Sequence, residues 1–331
     1  MYSESGGPEV LRLVERPPPE PGASEVRVRV AASGVNPTDW KARRGELAFP
    51  EQVPNQDGAG TIDAVGEGVD STRAGERVWL WEAAWQRADG TAQEYVVLPD
   101  RQAVALPEET SLDLGASLGI PALTAHRCLT LSEAGPTRLH PGALAGQTVL
   151  VAGGAGAVGH ASIQLARWAG AQVIATVSSE EKAALARAAG AEIVVDYRGS
   201  DAAAEIRAAA PDGVDVVVEV APATNAELDA AVLAPNGTVA VYAAERGTEL
   251  ELSVRALMGR NIRYAFVLVY TVPREAKEQA VADVAAAVAA GALPVGEEAG
   301  LPLHRFPLER TADAHAAVEA GAVGKVLIDV S

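Results

Sequence analysis

The stretch Val149-Leu150-Val151-Ala152-Gly153-Gly154-Ala155-Gly156-Ala157-Val158-Gly159 decides the fold. Its first residues form a short apolar run rich in valine, which reads as a strand. Gly154, Gly156 and Gly159 follow with the spacing G-x-G-x-x-G, and Ala157–Trp168 continues as a helix. The order has a physical reason. Glycines let the backbone turn tightly and approach a diphosphate. The amides that open the helix, those of Ala157, Val158 and Gly159, then stabilise the anion together with the helix dipole. In a chain with 32 glycines the spacing alone is weak. The strand before it and the helix after it make it a dinucleotide-binding turn.

On the C-terminal side the rhythm is regular. Gln172–Val177, Ile193–Tyr197, Asp215–Val220, Gly237–Tyr242 and Ile262–Val269 read as further strands, with alanine-rich helices such as Glu180–Ala189 between them. Continuous apolar strands of this kind belong to a parallel sheet covered on both faces, so a doubly wound Rossmann sheet is expected. On the N-terminal side, short strands are cut by Gly and Pro: Val10–Glu15, Glu25–Val30, Gly60–Val65, Glu76–Trp81, Ala92–Leu98 and Ala103–Leu106. They predict a second, mostly β domain.

The strand after the glycine loop bears on the cofactor. A preference for NAD places Asp or Glu about 20 residues past the glycines, to bond the ribose 2′-hydroxyl. Here Ser178 and Ser179 end that strand, and Lys182 follows one helical turn later. Two hydroxyls and an ammonium suit a 2′-phosphate, hence NADPH. The alternative is a capping serine with a solvated lysine, and Glu180 and Glu181 fit a first turn facing solvent.

Composition narrows the classes. With 44 acidic and 27 basic residues the net charge is −17, which opposes binding to nucleic acid or anionic membranes. The single cysteine, Cys128, permits no intrachain disulfide, and no run is long and apolar enough for a membrane span. A cytoplasmic protein is expected. The five histidines show no H-x-x-H or H-E-x-x-H spacing. Gly115-Ala116-Ser117-Leu118-Gly119 matches a nucleophile elbow in letters only, because Ser111–Leu114 before it reads as a helix start. His160, just after the loop, reads as a solvated helix residue.

Several further stretches occur in a telling order: Gly34-Val35-Asn36-Pro37-Thr38-Asp39, Asp57-Gly58-Ala59-Gly60, Gly119-Ile120-Pro121-Ala122-Leu123-Thr124-Ala125, the glycine loop, Val194-Val195-Asp196-Tyr197-Arg198 and Gly324-Lys325-Val326-Leu327-Ile328. Together they resemble the zeta-crystallin-like quinone oxidoreductases, the zinc-independent branch of the medium-chain dehydrogenase/reductase superfamily. Relative to that family the opening strand is shortened. The resemblance implies a GroES-like substrate domain over residues 1–120, a Rossmann NADPH-binding domain over 121–265, and a return segment, 266–331, that completes the first domain. It also implies a cleft between the domains and a homodimer.

By matched position, the resemblance puts Asn36 and Thr124 near the nicotinamide and its ribose. It sets Ser178, Lys182 and Tyr197 around the 2′-phosphate, and Val220, Tyr242, Phe266 and Leu268 along the cofactor, with Lys325 reaching back towards it. Asn36 is the positioning candidate for catalysis, and no general acid is identified. Asp39 is a possible relay, more often structural. Zinc relatives would carry ligands where Asn36 and Gln56 stand, so no metal is expected. Trp40, Leu47 and Trp81 are candidates for the substrate pocket, with Leu47 where members often carry a tyrosine.

Without a Lewis acid the acceptor must already be electrophilic, so a quinone or a conjugated enone is expected. Enoyl or 2-alkenal reduction stands close behind quinone reduction. A protein that binds NADPH without catalysis, in a crystallin-like or RNA-associated role, is the reading from another class.

Overall fold

The structure is a computed structural model and describes residues 1–199, 201–244 and 247–330. The chain divides into two compact units, Met1–Ile120 with Pro302–Ser331, and Pro121–Leu301.

The first unit opens with β1 (Glu25–Val35), β2 (Asp57–Val65), β3 (Arg77–Leu80), β4 (Tyr95–Pro99) and β5 (Ala103–Ala105). The period-two pattern of β1 is realised in packing. Val26, Val28 and Val30 are fully buried against Ile62, Val78, Val96 and Leu98, while Arg27 and Arg29 alternate with them. β1 is longer than its alternating stretch, because it serves two neighbours in turn. Glu25–Arg29 pairs with β4, and Ala32–Val35 pairs with a strand from the end of the chain.

One expected strand does not form. Pro8–Val10 is a 3-10 turn, and residues 11–22 carry no strand assignment. Met1 and Arg12 exchange both backbone hydrogen bonds, at 2.8 and 2.9 Å. Beyond that pair the segment finds no ladder partner among the described residues, and a strand is defined by its partner. Leu13 and Val14 are consequently exposed beside a groove of about 920 Å³.

The second unit contains β6 (Thr148–Ala152), β7 (Gln172–Val177), β8 (Ile193–Asp196), β9 (Val214–Glu219), β10 (Leu233–Val241) and β11 (Arg263–Phe266). They form a parallel sheet in the order β11-β10-β9-β6-β7-β8. Leu150, Ile174, Val217 and Val239 lie in its core. The chain runs outward from β6 in one direction and then from β9 in the other. A crevice therefore opens past the carboxyl ends of those two strands, where such sheets take their ligands.

The first unit is completed by β12 (Leu303–Pro307) and β13 (Lys325–Asp329), giving a seven-stranded sheet in the order β12-β13-β1-β2-β3-β5, with β4 on β1. The return to this unit begins at Pro302 and not at residue 266. The helix Arg274–Ala289 belongs to the second unit, buries Ala280, Val284, Ala287 and Val288, and carries a buried carboxylate. Asp283 accepts hydrogen bonds from His126, from Arg138 and from the Leu139 amide at 2.8 Å. Burial raises its pKa, but these donors prevail and hold it down to about 2.

Candidate active site

Because the strands of the second sheet are parallel, the residues that follow them collect at one edge. Gly153 follows β6, Ser178 follows β7, Tyr197 follows β8, Val220 follows β9, Tyr242 follows β10, and Phe266 ends β11. Sequence positions scattered over more than a hundred residues thus become a row.

The glycine loop is built for close approach. Gly153 has φ of +70°, a region that favours glycine. Its amide and that of Gly154 donate to the Thr176 carbonyl at 3.1 and 3.2 Å, tying the loop to β7. A Cβ on Gly154 would lie 2.9 Å from Ala175 Cβ, while one on Gly156 would meet nothing closer than 3.5 Å. Gly154 is therefore required by the protein's own packing, whereas Gly156 leaves space that a side chain would fill. Gly156 caps helix α3, which is Ala157–Trp168 in a count where α1 is Pro37–Arg44 and α2 is Leu112–Leu129. The Ala157, Val158 and Gly159 amides have no acceptor among the described residues. Three unsatisfied donors at a helix start, beside a cradle with no Cβ, fit a diphosphate.

At the next strand end one serine caps the following helix and the other meets the lysine. Ser179 caps α4 (Glu180–Ala189) by accepting from the Lys182 amide at 3.3 Å. The Lys182 ammonium turns to Ser178 Oγ at 3.1 Å, bringing a cation and a hydroxyl together. Glu180 faces solvent and pairs with Arg187. The Tyr197 amide bonds the Val177 carbonyl, which holds the exposed phenol beside this strand end.

Across the sheet, Val220 Cγ1 lies 3.2 Å from where a Gly153 Cβ would be. Burial pushes the Tyr242 hydroxyl up. Phe266 and Leu268 are 72% and 55% exposed, large apolar surface at the sheet's carboxyl edge. Thr124 is buried within α2 and is not part of this row. His160 is buried rather than solvated. Its Nε2 lies 2.9 Å from the Ala299 carbonyl, and burial lowers its pKa to about 4.

One acidic pair escaped the sequence reading. Glu219, at the end of β9, accepts from the Ala221 amide and from Asn225, and Asp229 lies against it. Burial and the neighbouring Glu219 raise Asp229 to about 9, so the pair shares a proton at neutral pH.

The first unit contains a separate polar cluster. Asn36, which caps α1, is buried, with its amide oxygen 2.7 Å from Lys325 Nζ and its amide nitrogen 2.6 Å from Asp57 Oδ2. Lys325 also lies 3.2 Å from that Asp57 oxygen, and the Ile120 amide donates to Asp57 Oδ1 at 2.8 Å. Lys325 is only 1% exposed and turns to Asn36 and Asp57. Asp39 accepts from the Asn36 backbone N–H at 2.7 Å. Burial, aided by nearby Asp57, pushes Asp39 up to about 8 against the pull of that bond.

Sequence reasoning missed Asp57 as a member of this cluster. The signal was Gly119. A Cβ there would fall 2.1 Å from Asp57 Oδ1, which links two stretches that the sequence alone presents as unrelated motifs.

Of the three proposed pocket residues, Leu47 packs on the Tyr2, Val10 and Leu11 cluster, Trp81 is buried, and Trp40 is half-buried under Lys41 at 5.7 Å. Among the described residues no group of three or more His, Cys, Asp or Glu side chains could hold a metal ion, and no helix is long and apolar enough to cross a membrane. The Gly115–Gly119 stretch lies inside α2, so no strand feeds an elbow there.

Comparison with known proteins agrees with this architecture. An alcohol dehydrogenase GroES-like domain model matches residues 22–108, and a zinc-binding dehydrogenase model matches 157–287. A quinone oxidoreductase from Rattus norvegicus is 32% identical over 98% of this chain and 95% of its own. The chain belongs to the quinone oxidoreductase family of medium-chain dehydrogenases/reductases.

Solved structures of the wider superfamily superimpose along the full length. An Escherichia coli quinone oxidoreductase complexed with NADPH has a TM-score of 0.80 at 25% identity, covering 99% of this chain and 98% of that one. An NAD-dependent alcohol dehydrogenase reaches 0.85 at 29%, covering 100% and 98%. CurK enoyl reductase gives 0.80 at 26%, covering 100% and 98%.

Proposed function

We propose that the protein is a metal-free, NADPH-dependent oxidoreductase that reduces a quinone or a conjugated enone. The observation that carries the proposal is the open turn at Gly156, with its three unsatisfied amides at the point where the sheet reverses direction. The E. coli relative binds NADPH. Ser178 and Lys182, already joined here, give a 2′-phosphate a hydroxyl and a cation. When bound, NADPH supplies a hydride from its dihydronicotinamide ring.

In this reading the chain contributes binding and orientation. The α3 amides hold the diphosphate, Ser178, Lys182 and Tyr197 hold the adenosine end, and Val220, Tyr242, Phe266 and Leu268 offer apolar contact. Asn36 orients cofactor and acceptor. Asn36 and Gln56, where zinc relatives place ligands, favour an acceptor that is electrophilic without a Lewis acid. Leu47, in place of the tyrosine common in the family, removes a phenol that could clamp a quinone and keeps enones in contention. The protein is taken to act in the cytosol as a homodimer.

The test is NADPH and NADH oxidation with 1,4-benzoquinone and a panel of enones. Turnover that prefers NADPH is expected. NADPH binding with no turnover on any acceptor would defeat the proposal, and equal use of both nucleotides would remove the 2′-phosphate argument.

A further inference from the structure

The Asn36–Asp57–Lys325 triangle has only one consistent hydrogen-bond assignment. An ammonium can only donate, so the Asn36 atom 2.7 Å from Lys325 Nζ is the oxygen. Asp57 receives the Ile120 amide, the Asn36 amide and Lys325, three donors with no acceptor facing it among the described residues. Burial raises its pKa, yet a carboxyl proton would have nowhere to point, and Lys325 opposes the rise, so Asp57 is a carboxylate. The Asn36 atom beside it is therefore nitrogen, and the amide cannot flip without setting a lone pair against a carboxylate.

From this we infer that Asp57 and Lys325 are positioning residues that present Asn36 as a hydrogen-bond donor. Its oxygen is committed to Lys325 and one Nδ2 hydrogen to Asp57, and the second hydrogen has no partner among the described residues. The group oriented by Asn36 must then be an acceptor, such as the carbonyl oxygen of a quinone or enone. This deepens the proposed function and rests on its placing of Asn36 at the acceptor. Gly119 is part of the device, because a Cβ there would fall 2.1 Å from Asp57 Oδ1, whereas one on Gly34 would strike the Ala116 carbonyl oxygen at 2.1 Å and come within 3.0 Å of Lys325 Cε.

The test compares Asp57→Asn, Lys325→Met and the double variant. Either single change leaves a buried group without its partner and should lower the melting temperature. The double variant removes both charges and should regain stability, since a buried ion pair can be replaced by neutral groups at little cost. Its Asn36 amide can face either way, so kcat with 1,4-benzoquinone should stay about 100-fold down. NADPH affinity by calorimetry should fall much less than kcat, because the phosphate loop is untouched.

A second readout needs no turnover. In 15N-labelled protein with NADP+, cyclohexanone should shift one Asn36 Nδ2 hydrogen and leave its geminal partner in place. A double variant that recovers kcat together with stability would make the triangle merely structural. A wild-type Asn36 amide unmoved by the ketone would overturn the donor assignment. Absence of wild-type turnover would instead sink the proposed function, and the amide signal would still judge the donor assignment.

Discussion

A Cβ on Gly159 would lie 2.3 Å from the carbonyl oxygen of Gly153, so the first turn of α3 packs directly on the loop backbone. Gly159→Ala should therefore cost about 1–3 kcal/mol of stability as well as weakening NADPH binding. Gly156→Ala meets nothing closer than 3.5 Å and should leave stability unchanged while still weakening the cofactor. Denaturant titration and calorimetry on both variants measure the contrast. Equal stability losses would refute it.

The Lys182 ammonium donates to Ser178 Oγ and makes no other hydrogen bond among the described residues. Lys182→Ala should leave the melting temperature within about 2 °C, matching the small effect of most surface changes. It should weaken NADPH about 10-fold or more, as the loss of a hydrogen bond between charged groups does. NADH should be unaffected, so the ratio of kcat/KM for the two nucleotides is the measurement.

Asp283 ties His126, Arg138 and Leu139 to the helix Arg274–Ala289. Asp283→Ala should destabilise the protein by about 1–3 kcal/mol, the range for leaving buried donors without their acceptor. The sign with pH follows from its depressed pKa of about 2. Its contribution is complete above the ordinary carboxylate range and is lost as pH falls through about 2. The difference between wild type and variant should shrink over that window, which chemical denaturation in acid can follow.

His160 is held neutral by burial, with a pKa near 4. The unfolded chain gains this proton from about pH 6.5 downward and the folded one only near 4, so the group's contribution falls by up to about 1.4 kcal/mol per pH unit between them. His160→Gln keeps a donor for the Ala299 carbonyl but does not titrate. The stability advantage of wild type over variant should narrow from pH 7 to 4. A constant difference would show that His160 is not buried neutral.

Much of the second unit was legible because local chemistry and tertiary position agree there. The bounds of α3, β7 and α4 coincide with those read from the sequence, since a parallel sheet buries both faces of a strand and leaves a continuous apolar run. In the first unit β1 ran past its alternating stretch into Ala31–Val35, where pairing with β13 replaces the pattern. Val10–Glu15 had strand residues but, beyond the Met1–Arg12 pair, no ladder partner among the described residues. The acidic pair Glu219 and Asp229 was invisible because ten residues separate its members along the chain.

By itself, then, the sequence determined the alternation of strands and helices, the glycine turn and the residue types available to hold a dinucleotide, because these depend on backbone freedom and periodicity within a few residues. The tertiary structure alone decided which distant side chains meet. It sent Lys325 to Asn36 and Asp57, buried His160, and kept the helix Arg274–Ala289 with the second unit. The physical reason is that a buried charge or polar group must find a partner, and nothing in its own stretch of chain says where that partner lies.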